Sequence, residues 1–129
     1  MKSFLIMVVM LTSIYADGAL LFDRHCSSCH SGVKMSFKQM KARKNRLKAP
    51  PMNLVVERLK NKIHVHLDDE DVDRAVVVAF IKDYVMAPDI DKGVCRVNCF
   101  VQFGVMPSQK EAISMDALDE VAKWVYDNY

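Results

Sequence analysis

The chain has 129 residues, enough for one modest hydrophobic core and too few for two ordinary domains. Hydrophobic residues make up 51% and charged residues 26%, with only four Gly and four Pro, which excludes a disordered, collagen-like or low-complexity chain. Eighteen Lys and Arg against sixteen Asp and Glu leave a formal charge of +2, so the overall balance does not mark a nucleic-acid binder.

At the N-terminus Lys2 precedes an apolar stretch from Phe4 to Leu11, extended through Ile14, and then the small residue Ala16 before Asp17. This layout predicts a secretory signal peptide over residues 1–16, cut near Ala16, and one exported, periplasmic domain over residues 17–129. The apolar run is about half the roughly 20 residues that a membrane-spanning helix needs. Ile14 stands where a small residue is usual, and the alternative is an uncleaved anchor. A lipid anchor would need a cysteine at the cut, and the first cysteine is Cys26.

Beyond Asp17 no stretch alternates as a strand does, while several windows carry apolar residues at helical spacing, so the predicted fold class is all-α. A first helix is expected from Asp17 to Cys29, with Ala19, Phe22 and Cys26 close to one face. Residues 33–48 are cationic and read as loop or short helix; Ala49-Pro50-Pro51 then interrupts any helix. Asn53 is the expected N-cap of a helix carrying Leu54, Val55, Arg58 and Leu59. The acidic run Asp68-Asp69-Glu70-Asp71 suits the start of another, which stops before Pro88. Its interior, Val72 to Val85, is the most hydrophobic segment after the signal region and reads as the core helix. Gly93 to Phe103 predicts a short helix ended by Gly104. Ser114 or Asp116 starts the last one, with Leu118, Val121, Trp124 and Val125 inward. There is no internal repeat.

Cys26-Ser27-Ser28-Cys29-His30 is a C-x-x-C-H, the attachment signature for c-type haem. Two thiols three positions apart on one turn can add to the two vinyl groups of a single porphyrin, and the imidazole that follows is then directed at the iron. Export agrees with this, because covalent haem attachment takes place outside the cytoplasm. The same residues also resemble a thiol-redox motif or half of a zinc site. Four cysteines admit a disulfide framework, or a four-thiolate zinc module built from Cys26, Cys29, Cys95 and Cys99. The separation between the two pairs far exceeds zinc-ribbon spacing, and zinc would leave His30 idle.

A c-type haem needs a sixth ligand or an open position. Met35, Met40, Met52, Met86, Met106 and Met115 follow the signal region, and most methionines simply fill core space. Met106 stands apart because Gly104-Val105-Met106-Pro107 places it in a turn between two helices, with Pro107 barring helix there. His64 and His66 are the competing ligands; their plainer role is as exposed residues near an acidic run.

These features together resemble the class I cytochromes c, small soluble monohaem electron carriers. Gly18-x-x-x-Phe22-x-x-x-Cys26-x-x-Cys29-His30 is similar to the family's N-terminal helix, in which the glycine admits close helix approach. Val121 and Trp124 sit where the family's C-terminal helix places an apolar residue and an aromatic, and Gly104 to Pro107 resembles its axial-methionine loop. The resemblance implies a cytochrome c fold, several short helices wrapped around one covalently bound haem c. Cys26 and Cys29 would form the thioethers, and His30 and Met106 would ligate the iron. It implies a monomeric one-electron carrier, not an enzyme. The implied partners are redox proteins: a cytochrome bc-type reductase upstream, and a terminal oxidase or cytochrome c peroxidase downstream. A proline-loop carbonyl, that of Pro50 or Pro51, would accept the His30 N–H. The long cationic segment after His30 and the lack of a Gly-Pro-x-Leu pattern depart from the family. A rival reading is a haem sensor or small haem enzyme with an open sixth position.

Cys95 and Cys99 also lie outside the family pattern. Four helical residues separate their Cα atoms by about 6.2 Å, within the roughly 4.4–6.8 Å disulfide range, so a local bridge is feasible in an oxidising compartment. Two buried free thiols are the alternative. Finally, Lys34, Lys38, Lys41, Arg43, Lys44, Arg46 and Lys48 form a run without one acid, suited to an acidic partner or to peripheral contact with a membrane surface.

Overall fold

The side chain of Asp17 accepts a hydrogen bond from the Ala19 N–H at 2.9 Å and so starts the first helix, α1, Gly18–His25. The computed structural model describes residues 17–63, 65 and 69–129; the expected signal peptide, and His64 and His66, lie outside the described residues. Helix α1 is shorter than its pattern predicts. The chain turns at Cys26, whose carbonyl accepts from both the Cys29 and His30 N–H groups, at 3.2 and 2.9 Å. Leu21 and Phe22 are the buried residues of α1.

A capping box between Ser36 and Gln39 opens α2, Phe37–Arg43, which runs into a 3-10 turn over Lys44–Arg46. The next helix, α3, Met52–Lys62, starts directly after the Pro50-Pro51 corner, and Asn53 is not its cap. Pro51 takes that position, and the Leu54 and Val55 N–H groups bond its carbonyl at 3.0 and 3.2 Å. The Asn53 amide is spent elsewhere: it accepts from the Met35 N–H at 3.1 Å and donates to the Met35 carbonyl at 2.9 Å, fastening the segment before α2 to α3.

Asp69 caps α4, Glu70–Met86, by accepting from the Asp71 and Val72 N–H groups. Only Val77 and Val78 of this helix are buried. The expected core helix is therefore buried on a narrow stripe, and Phe80, Ile81, Tyr84 and Val85 face a cavity instead. Helix α5, Val97–Phe103, begins four residues later than the pattern suggests. Gly104 ends it with φ 73° and ψ −173°, a combination essentially restricted to glycine. Ser114 caps the last helix, α6, Met115–Asn128, with Leu118, Val121, Ala122 and Val125 buried at helical spacing. Among the described residues all regular structure is helical, so the all-α class holds. No helix among them is long and apolar enough to cross a membrane.

Helix α6 is the hub, packing on α1, α3 and α4. The core joins Leu21 and Phe22 of α1, Met52 and Val56 of α3, Ile113, and Leu118, Val121 and Val125 of α6. Phe22 lies with its ring centroid 5.5 Å from that of Trp124 and 5.7 Å from that of Tyr129. Asp119 meets Lys123 at 2.5 Å within α6 and Lys82 of α4 at 2.6 Å, hydrogen bonds that hold its carboxyl down at about 2. Gly18 is where α1 and α6 touch most closely: a Cβ there would sit 2.3 Å from Trp124 Cβ. Gly18→Ala must push the helices apart, and a cost of about 1–3 kcal/mol is expected. Urea unfolding checks it, and an unchanged midpoint would contradict this packing.

Candidate functional site

The turn after α1 delivers Cys26, Cys29 and His30 to one place, and the Pro50-Pro51 corner closes on it. His30 Nδ1 lies 2.9 Å from the Pro50 carbonyl oxygen. A carbonyl only accepts, so Nδ1 carries the proton and Nε2 keeps its lone pair free. The Met52 N–H donates to the Ser31 carbonyl at 2.9 Å, a second tie between the same two segments. Burial lowers the His30 pKa from its usual value, partly offset by the bond to Pro50, which favours the neutral imidazole that a metal ion requires.

Both thiols and His30 line a cavity of about 330 Å³. Its walls are mainly apolar: Met52, Val55 and Leu59 from α3, Phe80, Ile81, Tyr84 and Val85 from α4, Phe100 and Phe103 from α5, and Leu118, Val121 and Val125 from α6. Met106 lines it too, half-buried in the segment between α5 and α6. That segment is held on both sides. Gly104 sets its direction from α5, and beyond Pro107 the Ser108 hydroxyl donates to the Met86 carbonyl at 2.6 Å while the Gln109 N–H donates to the Val85 carbonyl at 3.0 Å. The fold thus brings Cys26, Cys29, His30 and Met106 to one apolar cavity.

Cys95 and Cys99 also border it, and they are bridged, with Cα atoms 6.0 Å apart. Cys95 lies ahead of α5, so the bridge ties the helix's first turn to the strand of chain before it. The Arg58 Nε–H donates to the neighbouring Val94 carbonyl at 2.8 Å and anchors that strand to α3. Two of the four thiols that a zinc tetrahedron would take are therefore bonded to each other. Burial pushes the Cys26 thiol up to about 11, the opposite of the lowered value that a thiol-redox motif needs. Mapping of unreduced peptides is expected to recover Cys95 and Cys99 linked. Since the closed loop is short, replacing both with serine should cost only about 2 kcal/mol. Full alkylation of both thiols without prior reduction would contradict the bridge.

Several cavity residues carry no sequence motif. His25, Lys48 and the aromatics Phe80, Tyr84, Phe100 and Phe103 line the site. Their signal is only retrospective, since apolar residues on a helix read as core until the fold shows what they face. Porphyrin is flat and apolar, and its iron needs one or two axial donors. The apolar walls, the two free thiols, the imidazole with a free Nε2 and the thioether form a donor set and a lining that fit such a group.

The described residues thus form an all-α fold around a cavity with a C-x-x-C-H on its wall. Over 143 aligned residues the chain is 32% identical to a protein of Aquifex aeolicus (strain VF5) described as uncharacterized, with 100% of this chain and 89% of that protein covered. This chain belongs to the same family as that protein. No family model matches it, and no solved structure does.

Proposed function

We propose that this chain is a class I c-type cytochrome, a monohaem carrier that passes single electrons between redox proteins of the periplasm. The observation that supports this most strongly is the convergence of the C-x-x-C-H turn and Met106 on one apolar cavity, with Pro50 orienting His30. When bound, a haem supplies an iron that gains and loses one electron. Cys26 and Cys29 would hold it through thioethers, against the turn that carries them. The Pro50 carbonyl sets the rotation of the His30 ring, keeps the proton on Nδ1 and leaves Nε2 as a ligand of strengthened basicity. Met106 would supply a soft thioether, which would favour the ferrous state over what two imidazoles would give. The apolar walls contributed by α3 to α6 exclude water and so limit rearrangement when charge changes.

The donor and acceptor fitting this role are a cytochrome bc-type reductase and a terminal oxidase or cytochrome c peroxidase. A haem sensor or small haem enzyme would leave the sixth position open. Carbon monoxide added to the reduced protein separates the two: a carrier in which His30 and Met106 both held the iron is expected to bind it poorly. Tight and rapid binding by the wild-type protein would favour the sensor.

A further inference from the structure

No acidic residue occurs from Arg24 to Val56, and within that span seven cations lie between Lys34 and Lys48. The fold turns this run into a built surface. Helix α2 has no buried residue, yet it is firmly seated: the Asn53 clamp on Met35 and the Ser36 and Gln39 capping box fix its start. Phe37 lies 61% exposed at its N-terminal end, and Val33 just before it is 67% exposed. At helical spacing Phe37 and Lys41 share one side of α2, with Lys38 beside Phe37, and Lys44 follows directly in the 3-10 turn. None of the ion pairs among the described residues uses a cation of this run.

Of the seven cations only Lys48 lines the cavity. A redox protein docked on α2 would therefore sit away from the site where an electron must leave. An aromatic and an aliphatic side chain standing in solvent amid unpaired cations match a different occupant, a bilayer whose anionic headgroups meet the charges while the apolar side chains enter the interface. We infer that the α2 surface binds anionic phospholipid and holds the protein at a membrane face, leaving the cavity open to partners. The choice of a bilayer over a redox protein rests on the proposed electron-carrier reading, whereas vesicle binding is measured without any occupant of the cavity.

Cosedimentation of the full chain with phosphatidylcholine vesicles, with and without phosphatidylglycerol, tests it. Binding is expected only with phosphatidylglycerol and should weaken as salt rises to physiological strength. Exchanging Lys38, Lys41 and Lys44 for glutamine should lower the partition coefficient on the order of 100-fold, about 1 kcal/mol per lost cation. Phe37→Ala should lower it by about 10-fold, without changing the dependence on salt. Circular dichroism confirms that each variant is helical. Removing equal charge elsewhere, as in K60Q/K62Q/K110Q, should have much less effect. The inference is overturned by absence of binding to phosphatidylglycerol vesicles at low salt, by equal loss in the two triple variants, or by an unaffected Phe37→Ala. Retention on an acidic protein through the same lysines, with no vesicle binding, would assign the surface to protein docking and overturn it as well.

Discussion

Replacing Met106 with alanine is expected to turn a reduced protein that resists carbon monoxide into one that binds it readily, while haem stays attached. The thioether is the only donor contributed by the segment from Gly104 to Pro107, and that segment is braced by the Ser108 and Gln109 bonds to the end of α4. An alanine there leaves the bracing intact and removes the donor alone. Loss of one axial ligand should lower the potential and slow electron exchange by about 10-fold or more, a barrier increase of about 1.4 kcal/mol. Met52 is the instructive control, because it also lines the cavity. It sits two residues beyond the carbonyl that holds His30, is bonded through its N–H to Ser31, and is packed in the core. Met52→Ala should destabilise the fold by about 2–5 kcal/mol with the axial spectrum unchanged. Met115, 54% exposed, should affect neither. An unaltered spectrum in Met106→Ala would move the sixth ligand elsewhere.

Exchange of both Cys26 and Cys29 for alanine is the second large effect: haem retained after denaturation and acid-organic extraction should fall from one per chain to essentially none. His30 and Met106 remain in that variant, so a reversibly bound pigment can persist in the folded protein, but nothing survives extraction. Single variants should keep one thioether and therefore keep the colour after extraction. Easy extraction of haem from the wild type would remove the tethering role from both cysteines.

The residues proposed to hold haem are readable in the sequence because the spacing that suits the role is local. Two thiols and an imidazole on one turn, or a methionine between a helix-ending glycine and a proline, are local arrangements, and the chain keeps them local. Gly18 is legible only through the family resemblance, since its contact is tertiary, and Trp124 does fill the space its missing side chain leaves. What periodicity could not supply was the direction of the apolar surface of α4. Val77 and Val78 face protein while Phe80, Ile81, Tyr84 and Val85 face the cavity, and both groups look alike in a hydrophobic run. Asn53 shows a different limit. A side chain suited to capping was drawn to the Met35 backbone eighteen residues away, a tertiary demand with no local trace. The late start of α5 has a similar origin, since Gly93 is held against the Phe100 ring, where a Cβ would lie 2.2 Å from Cζ. Pro50 rather than Pro51 holding His30 was likewise settled by geometry alone.

The central claim is tested most directly by optical spectra of the full chain, produced with a haem-attachment system and taken oxidised and reduced, followed by a pyridine haemochrome assay on a known amount of protein. One c-type haem per chain, with a low-spin reduced spectrum and the absorption of a methionine thioether on ferric iron, is the predicted result. A colourless protein, or one whose pigment gives the haemochrome of a haem with intact vinyl groups, would contradict it.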